Sequence, residues 1–70
     1  MTESVQVWIN GQPQQVTGGL NVASLLLYLG MVPTRVAIER NLDILPRALW
    51  EQTIVSEGDR YEIVHLVGGG

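Results

Sequence analysis

No cysteine occurs in this 70-residue chain, and its only histidine is His65. Disulfide staples are therefore excluded, and no metal site is expected from so few soft or imidazole ligands. A domain of this size buries only about 60% of the surface its unfolded chain exposes. Its stability must come from one apolar core, and 46% hydrophobic residues suffice to build it. The length bounds the chain to a single domain.

Charge narrows the classes further. The formal net charge is −3, from seven acidic and four basic residues. The basic residues are all arginines (Arg35, Arg40, Arg47 and Arg60), spaced along the chain without forming a stripe. Nucleic-acid binding requires phosphate neutralisation, so no nucleic-acid partner is expected. A mildly acidic surface suits a basic protein partner through steering, or simply solubility. Lysine is absent, which leaves the α-amine as the only primary amine. The longest apolar run, Leu25-Leu26-Leu27-Tyr28-Leu29, is too short to span a bilayer, so no membrane association is expected. The N-terminal residues are polar and lack a basic segment ahead of an apolar one. No signal peptide is read there, and a cytoplasmic location is expected.

Periodicity places the elements. Val5, Val7 and Ile9 alternate with Gln6 and Trp8, the pattern of a half-buried strand. Asn10-Gly11 then signals a tight hairpin, because both positions tolerate positive φ. Gln12–Val16 forms the return strand, and Pro13 confines it to an edge or a strand start. Asn21 is a helix N-cap ahead of Val22, Leu25, Leu26 and Leu29, which share one helical face. Gly30 closes that helix and Pro33 keeps it closed.

A third strand covers residues 36–40, a short one Ile44-Leu45, and one helical turn residues 47–51. Thr53–Val55 is an extended piece. Glu57 and Asp59 flank Gly58 and read as solvated turn residues. Residues 60–67 form the last strand, with Tyr61, Ile63 and His65 on one face. The first and last strands are the most apolar, so they belong at the sheet centre. The helical crossover between them lets them run parallel. The expected class is α+β: a β-grasp, ubiquitin-like fold with a mixed sheet of four to five strands and one main helix on one face. The domain is read as 1–66, followed by a flexible tail over 67–70.

That tail is Val67-Gly68-Gly69-Gly70. Without Cβ atoms it threads a narrow channel at almost any backbone angles. Three extended residues reach roughly 10 Å. A terminal carboxyl with no side chain beside it suits activation by ATP and attack by a nucleophile. The alternatives are a frayed terminus or a purification scar.

Several segments together resemble one family along essentially the whole chain. They are Ile9-Asn10-Gly11, Asn21-Val22-Ala23-Ser24-Leu25-Leu26, Leu29-Gly30, Arg35–Glu39 leading into Asn41, Ile44-Leu45-Pro46-Arg47, Gly58–Val64, and the final Val67–Gly70. The ordered set is similar to the ThiS family, the sulfur carriers of thiamine biosynthesis. The resemblance implies that a ubiquitin-activating-type adenylating enzyme uses ATP to adenylate the Gly70 carboxylate. A sulfur donor protein then makes a thiocarboxylate, and thiazole synthase receives the sulfur. Gly69 and Gly70 match the family's functional tail, with Gly68 an added spacer that also threads into the partner. No bound cofactor and no intrinsic catalytic residue are expected, so the chain is a substrate and not an enzyme. Rival clients are molybdopterin synthesis and tRNA thiolation. A ubiquitin-like protein modifier and a plain interaction module are further readings.

Candidate partner contacts are Leu66, Val67 and Trp8, the last being either a docking aromatic or an edge-packing residue. Leu27 and Tyr28 fall off the helix core face, as a partner contact or as scattered surface apolarity. Arg47 and Trp50 read as local packing, and His65 as a solvated strand-end residue.

Overall fold

In the computed structural model, which describes residues 3–67, the Asn10-Gly11 pair makes the first turn. Asn10 has φ 51° and Gly11 φ 82°, the two positive values that a tight two-residue hairpin needs. This turn joins β1 (Ser4–Ile9) to β2 (Gln12–Thr17), antiparallel from Ser4↔Thr17 to Ile9↔Gln12. Pro13 sits opposite Trp8, whose N–H donates instead to the Asp59 carbonyl at 2.9 Å. At that pair the hairpin asks no bond of proline, so its missing N–H is tolerated on this edge strand.

Helix α1 runs Val22–Tyr28. The Asn21 side chain accepts from the Ser24 amide at 2.8 Å and so satisfies one free N–H of the first turn. At the other end Gly30, with φ 78°, donates to the Leu27 carbonyl, and Met31 donates to that of Leu26. This paired closure needs a left-handed residue after the cap, which glycine supplies without Cβ strain. Val22, Leu25 and Leu26 are fully buried, whereas Leu27 and Tyr28 are exposed on the far side.

A 3-10 turn at Pro33–Arg35 leads into β3 (Val36–Arg40), which turns back as β4 (Asp43–Ile44). A second 3-10 turn, Arg47–Leu49, precedes β5 (Arg60–His65). The sheet order is β2-β1-β5-β3-β4. β1 and β5 pair in parallel and the other neighbours are antiparallel. This is the expected β-grasp arrangement with the helix on one face, and the sheet, read as four to five strands, has five.

Four boundaries differ from the sequence reading, the first being β2, which ends at Thr17 and not Val16. β5 ends at His65, not Val67. The short strand is Asp43–Ile44, one residue early, because Leu45 turns to pack against the core. The helical turn stops at Leu49. Thr53–Val55 is extended as read, and Ile54 bridges Asn21. Trp50 is buried and its Nε1–H donates to the Leu45 carbonyl at 2.9 Å, so its role is packing.

The alternation of β1, β3 and β5 sorts the sheet into two faces. Val7, Ile9, Val36, Ile38, Tyr61 and Ile63 point to the helix and form the core with Val16, Val22, Leu25 and Leu26. Trp8, Glu39, Glu62 and Val64 point the other way, and no described element covers that face. No helix among the described residues is long and apolar enough to cross a membrane.

Candidate functional site

The chain leaves the fold from the central strand. β5 is flanked by β1 and β3, and its last residue, His65, pairs with Val36. One residue further, the Leu66 amide donates to the Arg35 carbonyl at 2.8 Å. Val67 follows at 96% exposure. Gly68, Gly69 and Gly70, on which the tail reading rests, lie outside the described residues.

Two polar devices fix β5. The first is Asn10. β1 ends at Ile9, so the parallel ladder would stop at Ile9↔Tyr61. The Asn10 side chain carries it one step further. Its Oδ1 accepts from the Ile63 amide at 2.7 Å, and its Nδ2 donates to the Ile63 carbonyl at 3.1 Å. The residue that permits the turn thus also stands in for a missing strand residue.

The second device is Asp59, and here the sequence reading needs correction. Asp59 is not a solvated turn residue but is 4% exposed. Oδ2 accepts from the Ser56 amide at 2.9 Å, the Tyr61 hydroxyl at 2.8 Å and Arg40 Nε at 3.1 Å. Oδ1 accepts from Asn41 Nδ2 at 3.2 Å. Asn41 in turn accepts from the Arg60 amide at 2.9 Å. Burial alone would push the Asp59 carboxyl up. The Ser56, Tyr61 and Asn41 hydrogen bonds and the Arg40 charge outweigh it and hold the group below its ordinary value. Burial, reinforced by the hydrogen bond to Asp59, pushes the Tyr61 phenol well above its usual value. Glu57, by contrast, is exposed as read and accepts from the Gln6 amide.

The open sheet face carries the exposed apolar groups. Ala37, Ile38, Glu39, Ile44, Glu62 and Val64 line a groove of about 360 Å³. Ile44, Val64 and Leu66 are each more than half exposed. Trp8 shares this face, but the structure does not bring it to the tail. It sits opposite Arg60, whose guanidinium lies 4.9 Å from the ring centroid. Arg60 and Leu66 are six positions apart along the chain, or about 20 Å of extended strand. Leu66 and Val67 are therefore the candidate contacts at the tail's base, with Trp8 at the opposite end of the face. Sequence reasoning missed the groove residues between them, Ile44 and Val64 with Glu39 and Glu62. Their alternation was visible in β3 and β5, but the pairing that gathers them was not. His65 is exposed. The arrangement is an exposed, largely apolar groove on the open sheet face beside the end of β5, with the polar cluster buried behind it.

The ThiS family model matches residues 7–70 of this chain. A thiazole synthase of Paramagnetospirillum magneticum is 42% identical over 62 residues, 89% of this chain and 19% of that protein. The chain spans about a fifth of the length of the curated thiazole synthases it matches. The sulfur carrier protein ThiS of Escherichia coli K12 is 33% identical over 66 residues, covering 94% of this chain and 100% of that one. The crystal structure of a thiamine biosynthesis protein (ThiS) from Geobacter metallireducens superposes with a TM-score of 0.82 at 33% identity. It covers 94% of this chain and all of its own.

Proposed function

This chain belongs to the ThiS family, and from that premise we propose that it is a sulfur carrier in thiamine biosynthesis whose Gly70 carboxylate carries the sulfur. The carrying observation is that central strand β5 delivers Val67 to solvent at 96% exposure, directly ahead of Gly68-Gly69-Gly70. A rigid domain with a reactive group at the end of a narrow tail can dock outside a partner's active site while the group enters it.

A carboxylate resists direct substitution because oxide is a poor leaving group. In the proposed sequence a Gly70 carboxylate oxygen attacks the α-phosphorus of ATP on a ubiquitin-activating-type enzyme and releases pyrophosphate. A nucleophilic sulfur supplied by a donor protein then attacks the acyl carbon, and AMP leaves. With the donor's sulfur carried as a persulfide, this attack gives an acyl disulfide; a second thiol then attacks the donor's inner sulfur, forming a disulfide with it and releasing Gly70 as a thiocarboxylate. Splitting one difficult substitution into two easier ones is the logic of covalent activation. The chain is the substrate of these steps and the partners supply the catalysis; its fold contributes docking and orientation, which lowers the entropic barrier in the partner's site. Thiazole synthase is the proposed acceptor of the sulfur. That curated thiazole synthases contain a segment similar to this chain supports the pairing.

The test is removal of Gly69 and Gly70. The shortened chain is expected to fold like the full chain by circular dichroism and to fail to support growth of a thiamine-requiring strain that depends on it. Normal growth on the shortened chain would contradict the proposal.

A further inference from the structure

We propose that Asn10 is a deamidation site whose reactivity the fold holds down, and that its conversion to aspartate or isoaspartate loosens β5. The reaction needs only water and the neighbouring peptide nitrogen, and it is independent of the carrier reading.

Asparagine occurs at positions 10, 21 and 41, and only Asn10 precedes a glycine. Deamidation begins when the peptide nitrogen of the following residue attacks the side-chain Cγ. The N–Cγ bond forms, the Cγ–Nδ2 bond breaks, and ammonia leaves with the proton of the attacking nitrogen. Water then opens the cyclic imide at one of its two carbonyls, which gives aspartate or isoaspartate. A side chain on the following residue hinders the attack, as Val22 does after Asn21 and Leu42 after Asn41. Gly11 has none and is exposed. A Cβ built on Gly11 would meet no described heavy atom within 4 Å beyond its chain neighbours, so the surroundings neither block the attack nor exclude water.

The clamp on Ile63 is what restrains the reaction. Oδ1 and Nδ2 of Asn10 both engage the Ile63 backbone, at 2.7 and 3.1 Å. The Asn10 amide donates to the Tyr61 carbonyl at 2.8 Å and holds the backbone of the same residue. Turning Cγ toward the Gly11 nitrogen breaks both side-chain bonds. The folded chain must therefore open the clamp before it reacts, whereas the unfolded chain has no clamp to open.

The same geometry makes the product disruptive. An ionised carboxylate only accepts hydrogen bonds. One oxygen can keep the Ile63 amide, but the other then faces the Ile63 carbonyl that Nδ2 had served. Isoaspartate also adds a carbon to the main chain within a two-residue turn, against the Ile9↔Gln12 pairing. The β1–β5 ladder ends at Ile9↔Tyr61, so no further β1 residue replaces the lost donor. Ile63 lies two positions before His65, where β5 ends and the chain leaves the sheet. Modification of the hairpin turn thus slackens the strand that leads to the tail.

The experiment ages the full chain in mildly alkaline buffer, folded and in parallel unfolded in urea. Peptide mapping that separates aspartate from isoaspartate follows each asparagine. Asn10 is expected to convert first, and roughly tenfold or more slowly in the folded chain than in urea, since two hydrogen bonds must break. Asn10→Gly, which keeps the turn, is expected to gain no acid on ageing. The purified aged chain and Asn10→Asp are each expected to melt about 4–8 °C or more below the native chain. Both should also exchange the Ile63 amide hydrogen faster. Earlier conversion of Asn21 or Asn41 in urea would overturn the assignment of the site. Equal Asn10 rates in folded and unfolded chains would overturn the restraint by the clamp. An aged chain with the native midpoint and native Ile63 exchange would overturn the loosening of β5.

Discussion

Replacing Asp59 by alanine is expected to cost about 3–4 kcal/mol, most of it from groups left behind and not from the carboxylate itself. Tyr61 is 1% exposed and donates its hydroxyl to Asp59 at 2.8 Å. Orphaning a buried hydroxyl costs about 1–3 kcal/mol. The Ser56 amide loses a bond worth about 1 kcal/mol. The Arg40 side chain is 30% exposed, so water takes over much of its solvation and the ion pair adds no more than about 1 kcal/mol. Asn41 is exposed and contributes little. At about 0.05–0.15 kcal/mol per residue, a chain of this length holds only about 4–10 kcal/mol in all. The substitution therefore removes a large share of the total.

Urea unfolding at pH 7, followed by circular dichroism, measures the loss. The same series should include Tyr61→Phe and the double variant. The double variant is expected to fall short of the summed losses by about 1–2 kcal/mol, because phenylalanine leaves no hydroxyl to orphan. Acid titration adds an independent check. The folded-state value of Asp59 lies below its unfolded one, so its stabilisation is complete above the unfolded value, near pH 4 (about 3.9). It is lost as pH falls through the folded value. The gap between the native chain and Asp59→Asn should narrow over that acid range. An alanine variant within about 0.5 kcal/mol of the native chain, a change typical of an ordinary surface site, would refute the argument.

Other perturbations follow from the same geometry. Leu25→Ala, at a fully buried helix position, is expected to cost about 2–5 kcal/mol in the same unfolding assay. Asn10→Gly should keep the turn and lose the two bonds to Ile63, costing about 1–2 kcal/mol, whereas Asn10→Ala is expected to cost roughly another 1 kcal/mol, because alanine tolerates the left-handed backbone less well than asparagine or glycine. Because the Tyr61 phenol is held above its unfolded value, its stabilisation is complete below about pH 10 and declines as pH rises beyond that. Thermal melts in alkaline buffer should show that decline in the native chain and not in Tyr61→Phe. Leu27→Glu/Tyr28→Glu, on the exposed helix side, should shift stability by no more than about 0.5 kcal/mol.

Local rules carried most of the fold. The Asn10-Gly11 turn, the Asn21 cap, the Gly30 closure and the strand alternation each depend on neighbours in sequence, and each stands where those rules place it. The parallel pairing of β1 with β5 followed from the crossover. What was not legible depends on residues brought together by the fold. Asp59 in a Gly-Asp turn looks like any solvated turn residue. Only the approach of Tyr61, Arg40 and Asn41 makes it a buried hub. Asn10 was read for its backbone, while its side-chain clamp on Ile63 spans 53 positions. The groove escaped for the same reason. Glu39 and Glu62 are opposed only through the β3–β5 register, and Ile44 joins them only through β4. Trp8 was legible as an outward aromatic, but its distance from the tail was not.

The central claim is that Gly70 carries sulfur. The most direct measurement is the intact mass of the purified chain after incubation with the adenylating enzyme, ATP, magnesium and sulfide, with and without a thiol-alkylating reagent. Exchange of one oxygen for sulfur nearly matches the mass of methionine oxidation at Met1 or Met31, so alkylation decides the assignment in a chain without cysteine. The account predicts a single alkyl adduct, mapped by fragmentation to Gly70 and dependent on ATP. A chain that stays unalkylated while the enzyme loads a known carrier in the same mixture would contradict it.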